Sequence, residues 1–227
     1  MSQRGYSQFC PVAKACEVIE PRWTLLLLSE MLSGSTRFNE IGRGVPGMSP
    51  TLMSRRLREM EERGLITRSQ HPVTGEIHYR TTYLAEELAP IIQALGRWAH
   101  RHIDAEVTLE NLDARLLMWN MRRKIDTSAL PLAKRTVIQF IYPELCAGDR
   151  NFWLIVKPGV PVDLCSTDPG YDVDLFVTAE LRALTAAWMG HSTLRKEIEQ
   201  RRISLTGDAR LADAIERWMV RSIFAAA

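Results

Sequence analysis

The chain has 227 residues, a formal net charge of +2, 46% hydrophobic residues and 25% charged residues. That hydrophobic share excludes a disordered chain, and the near-balanced charge excludes indiscriminate coating of nucleic acid, so any polyanion must be met by a local patch. The length fits one large domain or two small ones, and we expect two, residues 1–104 and 105–227.

The N-terminus carries no charged, apolar and small-residue signal segment. The run LLLL at 25–28 is bounded by Arg22 and Glu30, too short to span a bilayer. A cytoplasmic protein with no membrane partner is expected. Four cysteines, at 10, 16, 146 and 165, make neither a CxxC pair nor a disulfide framework.

Residues 36–80 carry the strongest pattern. Phe38 and Ile41 supply the apolar face of a short helix, and Gly42, Gly44, Val45, Pro46 and Gly47 read as a turn that ends it. Ser49 followed by Pro50 then starts a second helix, because the Ser hydroxyl accepts an orphan N–H and Pro fits the first helical position. Gly64 ends it. At about 100° per residue, Met53, Leu57 and Met60 share one face and Thr51, Arg55, Arg58 and Glu62 the other. Segment 37–58 holds Arg37, Arg43, Arg55, Arg56 and Arg58 against Glu40 alone, a local +4 in a chain of +2. Arg can bond a guanine edge bidentately, and Ser or Thr can bond bases or phosphates. The alternative for this face is a solvated one with i,i+4 pairs such as Arg55 to Glu59 and Arg58 to Glu62. Leu65 and Ile66 open a strand, Thr74-Gly75 is a hairpin turn, and Ile77 and Tyr79 alternate on the return strand. This order of helix, turn, basic helix and hairpin is a winged helix-turn-helix, and double-stranded DNA is the expected partner. The candidate contacts are Arg37, Ser49, Thr51, Leu52, Arg55, Arg56 and Arg58, with His71, Thr74 and His78 on the wing.

A long helix is expected from Tyr83 to Ile103, with Leu84, Leu88, Ile91, Ile92, Leu95, Trp98 and Ala99 in a broad apolar stripe. Self-association is one outlet for it, and docking on the second half of the chain is the other. His100 and His102 point to different faces, so no metal pair is expected there.

From Cys10 to about His102 the chain resembles the HxlR-type branch of the MarR-related winged-helix transcription regulators. The matching residues are Cys10-Pro11-Val12, the approach from Ile19 to Trp23, Arg37-Phe38-Asn39-Glu40-Ile41, the run from Leu57 to Ile66, and Tyr79, Thr82, Leu88 and Pro90. Glu20-Pro21-Arg22 stands where the family usually has Gly-Gly-Lys, and Ala85 or Glu86 where it usually has Gly. The resemblance implies a homodimer on a pseudo-palindromic operator. It also marks Cys10 as a redox candidate, since some relatives carry a sensing thiol before the Pro; a helix N-terminus there would lower its pKa.

The second half expects a helix from Leu112 to Lys124, strands at Thr136–Ile141, Phe152–Val156, Val162–Cys165 and Val173–Val177, helices at Ala179–Met189 and Thr193–Arg202, a strand at Ile203–Thr206, and an amphipathic helix from Arg210 to Phe224. The fold class is therefore α+β, a winged helix-turn-helix followed by helices on a mostly antiparallel sheet. Residues 135–224 resemble a sterol-carrier-protein-type lipid-binding domain, through Phe152 to Val156, Asp168-Pro169-Gly170, Val173 to Val177, Leu184 to Gly190 and Ser204 to Asp208. That resemblance implies a small hydrophobic ligand in a cavity lined by Trp153, Phe176, Leu184, Trp188 and Trp218; ordinary core is the alternative for each.

No P-loop, HExxH, GxSxG or dinucleotide fingerprint is present, and Asp168, Asp172 and Asp174 are explained by turn chemistry. No enzyme activity, cofactor or metal is expected. The leading reading is a dimeric repressor responsive to a hydrophobic ligand. The alternatives are a regulator switched through Cys10 and a hydrophobic-ligand carrier with a vestigial winged helix.

Overall fold

The computed structural model describes residues 5–130 and 135–225. The chain runs through α1 (Pro11–Ile19), α2 (Thr24–Leu32), α3 (Phe38–Gly44), α4 (Pro50–Glu62), β1 (Ile66–Gln70), β2 (Ile77–Thr81), α5 (Tyr83–Glu86), α6 (Ala89–His102), α7 (Ala105–Thr108), α8 (Ala114–Arg122), β3 (Thr136–Ile141), α9 (Ala147–Arg150), β4 (Asn151–Val156), β5 (Asp163–Cys165), β6 (Leu175–Ala179), α10 (Leu181–Met189), α11 (Leu194–Glu199), β7 (Ile203–Gly207), α12 (Ala209–Asp213) and α13 (Ile215–Trp218). Contacts divide it into one unit up to Leu95 and another from Gly96.

In the first unit, Leu27, Leu28, Ile41, Met53, Leu57 and Met60 form the centre of the core. The hairpin pairs Ile66 with Thr81 and Gln70 with Ile77, and it is tied to the helices at Arg37, which forms an isolated bridge with His78. Thr82 closes the base of the wing, its hydroxyl donating to the Gly64 carbonyl at 2.7 Å.

Two expectations are corrected here. The glycines at 42 and 44 do not turn the chain; α3 runs through both, and the turn begins at Val45. At Gly44 the reason is close packing, since a Cβ there would lie 2.0 Å from Glu30 Cδ, whereas one on Gly42 would meet Met53 Cε at an ordinary 3.4 Å. Likewise the single helix over 83–103 is two helices, α5 and α6, separated at Glu87 and Leu88. Pro90 has no N–H to continue the ladder from Glu86, which accounts for the break. The stripe divides as well. Leu88 and Ile92 pack on the core, whereas Leu84, Ile91 and Leu95 remain exposed.

The Glu20-Pro21-Arg22 departure is accommodated by Trp23, which adopts a left-handed φ of 84°. For a bulky residue this conformation costs on the order of 1–3 kcal/mol. The Thr24 hydroxyl donating to the Pro21 carbonyl at 2.7 Å fixes the turn.

The second unit is built on a five-stranded sheet in the order β5-β4-β3-β6-β7. Three of its pairings are antiparallel, and β3 with β6 is parallel. Strand β3 begins and ends where the periodicity placed it, and the other strands are shifted by one or two residues. Ile138, Phe140, Leu154 and Val177 point to one face, where Leu184, Trp188 and Trp218 complete the core. Gly190 ends α10 at φ 85°.

The expected amphipathic helix over 210–224 is also corrected. It is two short pieces, α12 and α13, and ends at Trp218. The cause is tertiary: Met219 forms an antiparallel bridge with Ile125, and the Trp218 carbonyl accepts from Asp126 N at 2.8 Å, so the chain leaves the helix for extended pairing.

Candidate DNA-binding surface

Helix α4 presents the surface because its other face is committed to the core. Ser49 caps it, its hydroxyl accepting from Leu52 N at 3.3 Å, and Gly64 follows its end at φ 70°. Met53, Leu57 and Met60 are buried, while Thr51, Arg55, Arg58 and Glu62 are exposed. Arg55 is 62% exposed and lies 3.9 Å from Glu59, a distance at which a solvated pair holds little energy and the guanidinium stays available.

The three arginines of the helix are not equivalent. The Arg56 side chain is only 11% exposed and is ion-paired with Glu59, so it belongs to the framework beneath the surface. Leu52 is half-buried against the core. Sequence periodicity could not separate Arg56 from Arg55 because its direction, between the two faces, is decided by neighbouring elements.

The wing residues also divide. His71 holds the tip together, its Nδ1 accepting from Val73 N at 3.3 Å and Thr74 N at 3.2 Å. The Thr74 hydroxyl accepts from Glu76 N at 3.3 Å. His78 is half-buried, with Nδ1 3.2 Å from Thr36 Oγ1. Arg37 meets Glu76 at 3.4 Å, so part of its charge is offset by the wing. At the head of α3, Glu40 accepts from the backbone N–H groups of Thr36 and Arg37, both at 3.1 Å.

Two exposed cations lie outside the contact set expected from sequence. Arg68 lies on β1 and Arg80 on β2, and Arg80 shares a face of the hairpin with Thr67, Ser69 and His78 through the pairing register. The period-two run of polar residues was the available signal.

Cys10 immediately precedes α1 and is half-buried. The N–H groups of Ala13 and Val12 at the head of the helix hold its thiol below the ordinary value, because they stabilise the thiolate.

The sequence that builds this surface matches a known family. A model for the HxlR-like helix-turn-helix covers residues 18–107, and the chain is 37% identical over 100 residues to the uncharacterized HTH-type transcriptional regulator YvaP of Bacillus subtilis (strain 168), spanning 93% of that protein and 43% of this one. The chain belongs to the HxlR-like helix-turn-helix family. An uncharacterized HTH-type transcriptional regulator of Methanothermobacter thermautotrophicus (strain Delta H) is 36% identical over 90 residues, 69% of its length and 39% of this chain. The redox regulator HypR in its oxidized form is 31% identical, with 42% of this chain and 99% of that one covered, at a TM-score of 0.39. All of the HxlR-like match precedes α8, so the five-stranded sheet lies beyond it.

The five candidate ligand residues of that second unit do not line one cavity between sheet and helices. Trp153 pairs with Gln139, and Gln139 with Phe176, placing Trp153 and Phe176 on the sheet face opposite the core. Leu184, Trp188 and Trp218 are in the core. Trp218 Nε1 donates to the Leu211 carbonyl at 2.8 Å and Trp188 Nε1 to the Val220 carbonyl at 3.2 Å, so both indoles are satisfied internally. The reason is the two-residue period of a strand, which sends neighbours to opposite faces.

Proposed function

We propose that this HxlR-like chain is a sequence-specific, DNA-binding transcription regulator, acting as a dimeric repressor on a pseudo-palindromic operator. The observation that carries the reading is the exposed face of α4, with Thr51, Arg55 and Arg58 opposite a buried Met53, Leu57 and Met60 and beside a hairpin bearing Arg80. Arg55 and Arg58 reach base edges and phosphates, Thr51 and the Ser49 turn set the entry of the helix, and Arg37, Arg68 and Arg80 position the duplex. Ile91 and Leu95, exposed one turn apart on α6, with Leu84 on α5, supply apolar surface for a second copy. Selection of bound fragments from a random duplex library, followed by binding as a function of salt, tests this. A two-fold related site and a steep negative salt slope are expected. Salt-independent binding, or none, points to a ligand carrier that keeps the winged helix as a scaffold.

Two inputs are proposed. A small hydrophobic ligand held by the second unit, as its resemblance to sterol-carrier-type domains implies, changes operator affinity by binding the DNA-bound and free forms unequally. Native mass spectrometry of the freshly purified protein tests for a retained mass. The second input is oxidation of Cys10, favoured by its lowered thiol pKa at the head of α1. Under it oxidant changes operator affinity, and Cys10→Ser abolishes the response.

A further inference from the structure

In the second unit, His100 of α6 and His191 of the α10–α11 turn stack with ring centroids 4.6 Å apart and planes 26° from parallel. His100 Nδ1 and His191 Nε2 are both buried, and neither has a hydrogen-bond partner among the described residues. Such pairs are uncommon, since buried polar atoms are nearly always bonded. The stack lies in a close-packed region. Gly96, one turn before His100, is so near Phe224 that an added Cβ would lie 2.3 Å from Cε1, and a Cβ on Gly190 would lie 2.8 Å from Ala225 Cβ.

We propose that His100 and His191 form a proton-operated latch, which holds residues 96–102 of α6 against the α10–α11 turn while the stacked rings are neutral and releases them when His191 takes up a proton. Stacked rings do not suit a shared metal, because a ligated ion lies in the plane of each imidazole and these planes run alongside one another. They do suit mutual exclusion of charge, because two imidazolium ions in contact, with one nitrogen of each buried, repel one another.

The surrounding charges do not relieve that repulsion. From α6 the neighbours are Arg97, Arg101 and His102, and residues 93–103 contain no acid. The cleft bordered by His191 is lined from the other elements by Glu106, Glu180, Arg182, Lys196, Glu197 and Arg202. Glu106 is engaged by Arg182 at 2.6 Å and Glu197 by Arg202 at 2.6 Å, with Glu180 also acting on Arg202 and Lys196 on Glu197. The carbonyl end of α10 favours a cation, but more weakly than burial opposes one. Burial first, and His100 second, push the His191 pKa below the ordinary imidazole value.

The direction follows from linkage. A site that binds its proton less tightly when closed than when open loses closed population as the pH falls through the ordinary imidazole value of about 6.5. One such proton raises the opening equilibrium by at most about tenfold between pH 7.5 and 5.5.

The test uses the full chain. Imidazole resonances are titrated by NMR, and hydrogen exchange of peptides covering 96–103 and 190–194 is measured at both pH values and corrected for intrinsic rate. A His191 midpoint below 6.5, with local exchange rising about five- to tenfold, is expected. His191→Phe, which keeps a stacking ring without a titrating nitrogen, flattens the rise. A wild-type midpoint at or above 6.5, or exchange that changes less than about twofold, overturns the latch whether or not the variant folds.

Discussion

Arg63 and Glu17 join the end of α4 to α1: Arg63 Nη1 donates to the Glu17 carbonyl at 2.9 Å, and to the adjacent Val18 carbonyl at 2.8 Å. Both carbonyls lie in the last turn of α1, where the helix has no partners of its own for them. Hydrogen bonds from a charged donor contribute about 1.5–3 kcal/mol. Arg63→Ala is expected to destabilise this unit by about 1–3 kcal/mol, with Arg63→Lys retaining part of it, because its more strongly hydrated ammonium sits on a different stem. Chemical denaturation checks this; an unchanged midpoint would show that water replaces the guanidinium fully.

Arg55, Arg56 and Arg58 should separate in a binding assay. Arg55→Ala and Arg58→Ala are each expected to weaken operator binding, by about 1–3 kcal/mol with relaxed specificity at a base edge, or uniformly with a salt slope reduced by about 1 at a phosphate. Arg56→Ala, by contrast, should act on the melting curve, since its side chain is largely buried beside Glu59. Equal losses of affinity from all three would disprove the division.

Cys10 should react at lower pH than an ordinary thiol. Helix-head N–H groups stabilise its thiolate, so its alkylation rate is expected to rise through a midpoint below about 8.5 and to fall as acid protonates it. Rates for the exposed Cys146 in the same digest provide the comparison. A Cys10 midpoint at or above the ordinary value removes the electrostatic basis for the thiol switch.

Trp218 and Phe176 test the two faces of the sheet. Trp218 is fully buried and hydrogen-bonded to Leu211, and Trp218→Ala is expected to cost about 3–5 kcal/mol. Phe176 is half-buried on the other face, so Phe176→Ala should cost about 1 kcal/mol. Thermal melts of both variants decide it, and comparable losses would mean that a partner or ligand covers Phe176.

The sequence by itself determined the elements whose signals are local. Ser49, Pro50 and Gly64 set the bounds of α4 through capping and backbone freedom. The spacing of Met53, Leu57 and Met60 set which face it buries, and so which face is left for DNA. The short strand-forming run of β3 set that strand to the residue. What only the tertiary structure decided depends on atoms distant in the chain. Gly42 and Gly44 proved to lie within α3 rather than turning the chain, and Gly44 to serve packing against Glu30. Arg56 proved buried, and the C-terminal helix yielded to the bridge between Ile125 and Met219. The assignment of Trp153 and Phe176 to one face and Trp218 to the other required the strand register. The His100–His191 stack brings together residues 91 apart in number. No periodicity encodes such a contact, because it arises from packing between elements and not from preference within one.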